Sequence, residues 1–115
     1  MPVKLYGLKN CDSCKKSLKA LQAAGETVTF HDVRADGMTK SQLTKWARAA
    51  DWEKLLNTRS TTWRGLDAAE KENVTQMTAI DLMATHPTLI KRPIIEKDGA
   101  IYVGWGKEVQ NEILS

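Results

Sequence analysis

The 115 residues suit one core of ordinary size, with 42% hydrophobic and 27% charged residues and a net charge of +3. Two cysteines exclude a disulfide-dense secreted scaffold, Met1-Pro2-Val3-Lys4 lacks the apolar run of a signal peptide, and no segment reaches the ~20 apolar residues that span a bilayer. The mild charge suits small anions and no basic stripe is visible, so neither a membrane nor a nucleic-acid partner is expected, and a reducing cytoplasm is the expected compartment.

Val3-Lys4-Leu5-Tyr6 reads as a strand, Gly7-Leu8-Lys9-Asn10 as a turn, and the stretch from Cys14 through Leu18 and Leu21 as an amphipathic helix capped by Gly25. Thr27 to Val33 alternates like a second strand, and two strands joined by one helix of this length make a parallel pair with a right-handed crossover. His31 falls on that strand's polar phase and reads as a solvated or locally bonded residue. Asp36-Gly37 is a turn, and Thr39 caps a helix through Leu43, Trp46 and Ala47. A further helical stretch covers Asp51 to Leu56.

Asn57 to Gly65 breaks the periodicity, being rich in hydroxyls with two arginines and a tryptophan. Thr75 starts the next helix and Pro87 ends it. Asp98-Gly99 joins two short β-stretches, Ile94 to Lys97 and Ala100 to Val103, as a type I′ hairpin, and Lys107 to Leu114 is a terminal helix. No repeat, linker or low-complexity tract interrupts residues 1–115, which read as a single domain. The order βαβ, helical insertion, β-hairpin, helix is α/β and matches a thioredoxin-like fold.

The chemistry sits in Cys11-Asp12-Ser13-Cys14, directly after the first strand and at the start of the first helix. A thiol there faces backbone N–H groups with no helical partner and the positive end of the helix dipole, and both favour thiolate over thiol. Lys9, Lys15 and Lys16 add positive potential; Asp12 works against it. A zinc site needs four ligands, whereas this chain has no further cysteine and only His31 and His86, so neither a metal nor a bound cofactor is expected. For Cys14, an ordinary buried core cysteine is a serious competing reading; for Cys11 it is weak.

Tyr6 to Lys16, Leu55 to Arg64 and Ile90-Lys91-Arg92-Pro93-Ile94-Ile95, taken in order, resemble the arsenate-reductase-related (ArsC) family, and most closely its YffB subgroup of glutathione-dependent thiol reductases. The resemblance covers essentially the whole chain. It implies a thioredoxin-like core with a helical insertion, Cys11 as catalytic nucleophile, and a cis Arg92-Pro93 bond facing it, with Arg92 steadying the thiolate and an anionic substrate. From the residues alone Pro93 reads as an ordinary strand-start proline.

Two departures from the arsenate reductases bear on substrate. Asp12 follows the nucleophile, where a carboxylate repels a doubly charged oxyanion, and Gly104-Trp105-Gly106 stands where a third family arginine is expected. Glutathione as co-substrate therefore fits better. Its backbone would pair along the strand entered by Pro93, with Lys9, Asn10, Arg59 and Arg64 meeting its polar groups. The expected partners are glutathione or a small thiol or disulfide, with glutaredoxin as a further candidate. The resulting expectation is a glutathione-dependent thiol–disulfide oxidoreductase in which Cys14 is either a resolving thiol or dispensable. The alternatives are an arsenate reductase coupled to glutathione or glutaredoxin, an Spx-like redox regulator binding RNA polymerase, and a binding fold without turnover.

Overall fold

β1 (Pro2–Gly7), α1 (Asp12–Ala23) and β2 (Thr27–Asp32) form the βαβ unit in the computed structural model, which describes residues 2–114. β1 pairs in parallel with β2, setting Val3 beside Val28 and Leu5 beside Phe30. On its other edge β1 pairs antiparallel with β3 (Ile94–Lys97), which pairs antiparallel with β4 (Ala100–Val103). The sheet order is β2-β1-β3-β4, the mixed sheet of a thioredoxin-like fold. The hairpin turn is made by Asp98 and Gly99 at φ 51° and 81°, as a type I′ turn requires.

Alternation along β1 decides what each face of the sheet carries. Val3 and Leu5 point to one face and join Cys14 and Leu21 of α1, Ile95 of β3 and Ile113 of α7 (Lys107–Leu114) in a buried cluster. On the opposite phase the Tyr6 hydroxyl donates to Glu96 Oε1 at 2.9 Å, and its ring lies 5.1 Å from that of half-buried His31. Helix α1 stops where Gly25 turns left-handed at φ 89°: the Gly25 N–H donates to Gln22 O and the Glu26 N–H to Leu21 O. Lys97 then ties two helix ends together. Its ammonium lies 3.2 Å from Glu26 Oε1 and donates to the Ile113 carbonyl, placing a cation at the negative end of α7.

The insertion between β2 and β3 is helical. It contains α2 (Lys40–Ala50), α3 (Trp52–Leu55), α4 (Thr61–Arg64), α5 (Ala68–Lys71), α6 (Gln76–Thr85) and a 3₁₀ turn at Pro87–Leu89. Thr39, Asp51, Ser60 and Thr75 each accept a backbone N–H at the start of their helix. The chain divides into two compact units, one holding the described residues up to Asp36 and from Arg92 onward, the other Gly37–Lys91. Within the second, α2 packs on α6 and α3, burying Leu43, Trp46, Leu55, Ala79 and Met83. A bridge between Leu56 and Ile90 closes its base.

Two local readings change. The stretch from Asn57 to Gly65, expected to be irregular, winds one turn as α4, and a further turn, α5, follows at Ala68–Lys71. Both are made by caps, Ser60 in the first and the Asp67/Glu70 capping box in the second, and one turn is too short to show an apolar repeat. Among the described residues, no helix is long and apolar enough to cross a membrane.

Gly7, the last residue of β1, has no room for a side chain, because a Cβ there would collide with Cys14 Sγ. Gly7→Ala is expected to cost about 1–3 kcal/mol, as overpacking does. Combining it with Cys14→Ala should cost less than the two single changes summed. Urea midpoints of the four proteins test this, and strict additivity would show that the sulfur is not what crowds Gly7.

Candidate functional site at the start of the first helix

The loop between β1 and α1 is fastened to the end of β2. Buried Asp32 accepts three backbone N–H groups, from Lys9 at 3.3 Å and from Arg34 and Ala35 at 2.9 Å each, while the Val33 N–H donates to the Gly7 carbonyl. The N–H of Ala35 above all, together with those of Lys9 and Arg34 and the Lys9 charge, holds the Asp32 carboxyl below the usual carboxylate range despite its burial. One side chain thus closes the turn after β2 and sets the position of the loop that ends at Cys11. It acts on backbone, so its role was not legible as chemistry; the Asp-x-Arg-Ala run at a strand end is the available signal, a side-chain turn.

Cys11 is the residue that starts α1. Its backbone is extended (φ −91°, ψ 122°), its carbonyl accepts the Lys15 N–H, and its own N–H donates to the Leu8 carbonyl. Burial is the largest single influence on its thiol and opposes ionisation. The Cys14 N–H, the Cys14 thiol, the Arg92 guanidinium and the Ser13 N–H together outweigh it, and the Cys11 thiol titrates below its ordinary value. The side chain makes no regular capping bond, so these N–H groups act on the sulfur as favourable dipoles.

Cys14 lies in the same turn and behaves oppositely. It is 1% exposed, packed with Val3, Leu5 and Leu21, and burial pushes its thiol up to about 12; Cys11 reinforces this by accepting its hydrogen bond and by its own charge. The Leu8 backbone and the Arg92 charge pull the other way without prevailing. Ser17 Oγ donates to the Cys14 carbonyl from an equally buried position. Both cysteines are free thiols. Cys14 thus sits in the core, and its thiol also acts on that of Cys11.

The Arg92-Pro93 peptide is cis, as the resemblance implied. Arg92 is half-buried, and its charge acts on both thiols. Pro93 is buried and its carbonyl accepts the Gly104 N–H at 2.7 Å, so the entry to β3 is tied to the exit from β4. Lys9 and Asn10 are exposed on the loop before Cys11. Arg59 and Arg64 belong to the helical unit and are exposed there; Arg59 borders a cavity of that unit and Arg64 ends α4. Trp105 packs, like Cys11, against the cluster around Leu5, and its carbonyl accepts from Gln110. Gly7 and Trp105 are residues whose part in building the site was missed. Among the described residues, no group of three or more His, Cys, Asp or Glu is placed to hold a metal.

The model of the ArsC family matches residues 6–113, and the chain belongs to that family. An uncharacterized protein of Haemophilus influenzae is 42% identical over 92% of this chain and 93% of its own length. The global transcriptional regulator Spx 1 of Lactococcus lactis is 28% identical over 92% of this chain and 84% of its own. Among solved structures, a YFFB protein superposes with a TM-score of 0.92 at 35% identity, covering 98% of this chain and 99% of its own. An arsenate reductase related protein from Brucella melitensis gives 0.76 at 39%, covering 97% of this chain and 92% of its own.

Cys11 should be alkylated far faster than Cys14 in single-cysteine variants, and below pH ~8.5, the usual thiol value. Arg92→Ala should shift the pH profile of Cys11 alkylation upward, since a lost cation disfavours the thiolate, while exposed Arg48→Ala leaves it unchanged. Equal rates for the two thiols, or an unshifted profile, would contradict the assignment. For Asp32 the folded carboxyl titrates below its unfolded value, so its contribution is present above pH ~3.9 and is lost as pH falls through the folded value. Asp32→Asn should therefore show a shallower loss of stability than the parent between pH ~5 and ~2, measured by urea midpoints at each pH.

Proposed function

We propose that this ArsC-family chain is a glutathione-dependent thiol–disulfide reductase with Cys11 as its nucleophile. The observation that carries the reading is the opposed titration of two thiols in one helical turn: Cys11 is lowered beside Arg92, and Cys14 is raised by burial. The Cys11 thiolate attacks the glutathione sulfur of a mixed disulfide, the S–S bond breaks, and the other thiol leaves and takes a proton from water. A second glutathione, as thiolate, then attacks the Cys11–glutathione disulfide, regenerating Cys11 and releasing oxidised glutathione. Glutathione supplies both electrons, so neither metal nor bound cofactor takes part, and glutaredoxin is a further reductant of the same class.

Within the unit that carries Cys11, Lys9 and Asn10 line the approach from the loop, and Arg92 offers charge to a glutathione carboxylate. The backbone entering β3 at Pro93 offers an edge for the tripeptide. Chemistry of this kind suits a reducing cytoplasm. Arsenate reduction is disfavoured by the exposed Asp12 carboxylate beside the nucleophile and by Gly104-Trp105-Gly106 in place of an arginine. A second reading, a redox-sensing regulator that binds RNA polymerase, draws on the hydrogen-bonded Cys11–Cys14 pair and on the likeness to Spx 1 of Lactococcus lactis.

The test is turnover of a glutathione–mercaptoethanol mixed disulfide with excess glutathione. Cys11→Ser should abolish it and Cys14→Ser should retain most of it; the parent should reduce arsenate at background rate only. A Cys14→Ser protein that accumulates as a Cys11–glutathione adduct by intact mass would overturn the one-thiol scheme. Absence of turnover together with capture of the polymerase would favour the regulator.

A further inference from the structure

The helical unit holds a cavity of about 680 Å³. Its volume lies in the range of small-molecule sites. Two half-buried indoles, Trp52 and Trp63, are among its walls, together with three cations, Arg59, Lys71 and Lys91, and a single carboxylate, Glu53. Lys71 and Lys91 are half-buried. Among the described residues, none of the three cations makes a side-chain hydrogen bond or an ion pair; the ion pairs of this unit lie elsewhere, as in Lys40–Asp81.

Three cations against one carboxylate leave an excess of two positive charges around one concavity, which an anion would offset. Tryptophan walls add what a bare phosphate or sulfate would not use. They bury a large flat apolar area and present π-faces on which a planar ring stacks. We infer that this cavity binds a small organic anion with a flat aromatic body, its carboxylate or phosphate set against Lys71 and Lys91 and its ring against Trp52 and Trp63. This goes beyond the proposed thiol chemistry.

Four tryptophans give the test its resolution, because Trp46 is fully buried and Trp105 belongs to the other unit. The full-length reduced protein is labelled with ¹⁵N, and its indole N–H signals are followed while 2-naphthoate, adenosine monophosphate or neutral 2-naphthalenemethanol is added. The expected result is saturable movement of the Trp52 and Trp63 signals by at least one of the two anions, with Trp46 and Trp105 unmoved. The neutral alcohol should bind at least tenfold more weakly. Lys71→Gln combined with Lys91→Gln, both at half-exposed positions, should weaken the anion by at least tenfold while leaving all four indole signals dispersed. Which anion binds more tightly distinguishes a carboxylate from a phosphate ligand. The inference is overturned if neither anion saturates below 10 mM, if the alcohol binds equally well, or if the lysine changes have no effect.

Discussion

The sulfur of Cys14 rests against the bare Cα of Gly7, and the geometry around Cys11 depends on that contact. A strand that ended in any side chain would force α1 away from β1. With glycine there, the first turn of α1 sits close on the sheet, and Cys14 joins Val3, Leu5 and Leu21 in the core. Once Cys14 is buried, the residue three positions earlier is fixed at the mouth of the helix. Cys11 therefore meets the N–H groups of Ser13 and Cys14 in the turn that the Cys14 side chain seats on the sheet.

Two further constraints aim this arrangement. Asp32 anchors the Lys9 N–H and so fixes the loop before Cys11. Arg92 supplies the fixed cation, delivered through the chain that enters β3 at Pro93. Cys11 is thus held by three elements far apart in sequence: the end of β2, the entry to β3, and the start of its own helix. That is the use to which a sheet with parallel and antiparallel halves is put here, since β1 lies between β2 and β3 and ends where all three meet.

Much of this was legible in the residues. Leucine spacing, Gly25, Thr39, Thr75 and Asp98-Gly99 mark element ends through local backbone chemistry, and each sits where that chemistry requires. The cysteine pair could be placed at a helix start for the same reason. Less legible were α4 and α5, single turns held by Ser60 and by Asp67 with Glu70, which carry no apolar repeat. The cis bond at Arg92-Pro93 followed from family resemblance, since the two residues alone suit a strand-start proline equally well. Gly7 carried no signal as a site residue and Asp32 only that of a side-chain turn, because their parts are steric and backbone-directed and depend on what the fold brings beside them.

The opposed titration of the two cysteines bears on how an adduct on Cys11 is resolved. With its thiol near 12, Cys14 holds only about one part in 10⁵ as thiolate at neutral pH, from the ordinary titration relation. Forming a disulfide on Cys11 removes the negative charge and the accepting sulfur that help keep Cys14 protonated. Burial, the largest cause of the upward shift, stays in place. The relief is therefore partial, and Cys14 remains a slow nucleophile inside the core, packed where its sulfur supports Gly7. In the proposed reaction, glutathione from solvent would meet no such barrier, since it carries an ordinary thiol and would attack a half-exposed sulfur. In that reaction, the burial that holds Cys14 back would leave the second step to an external thiol.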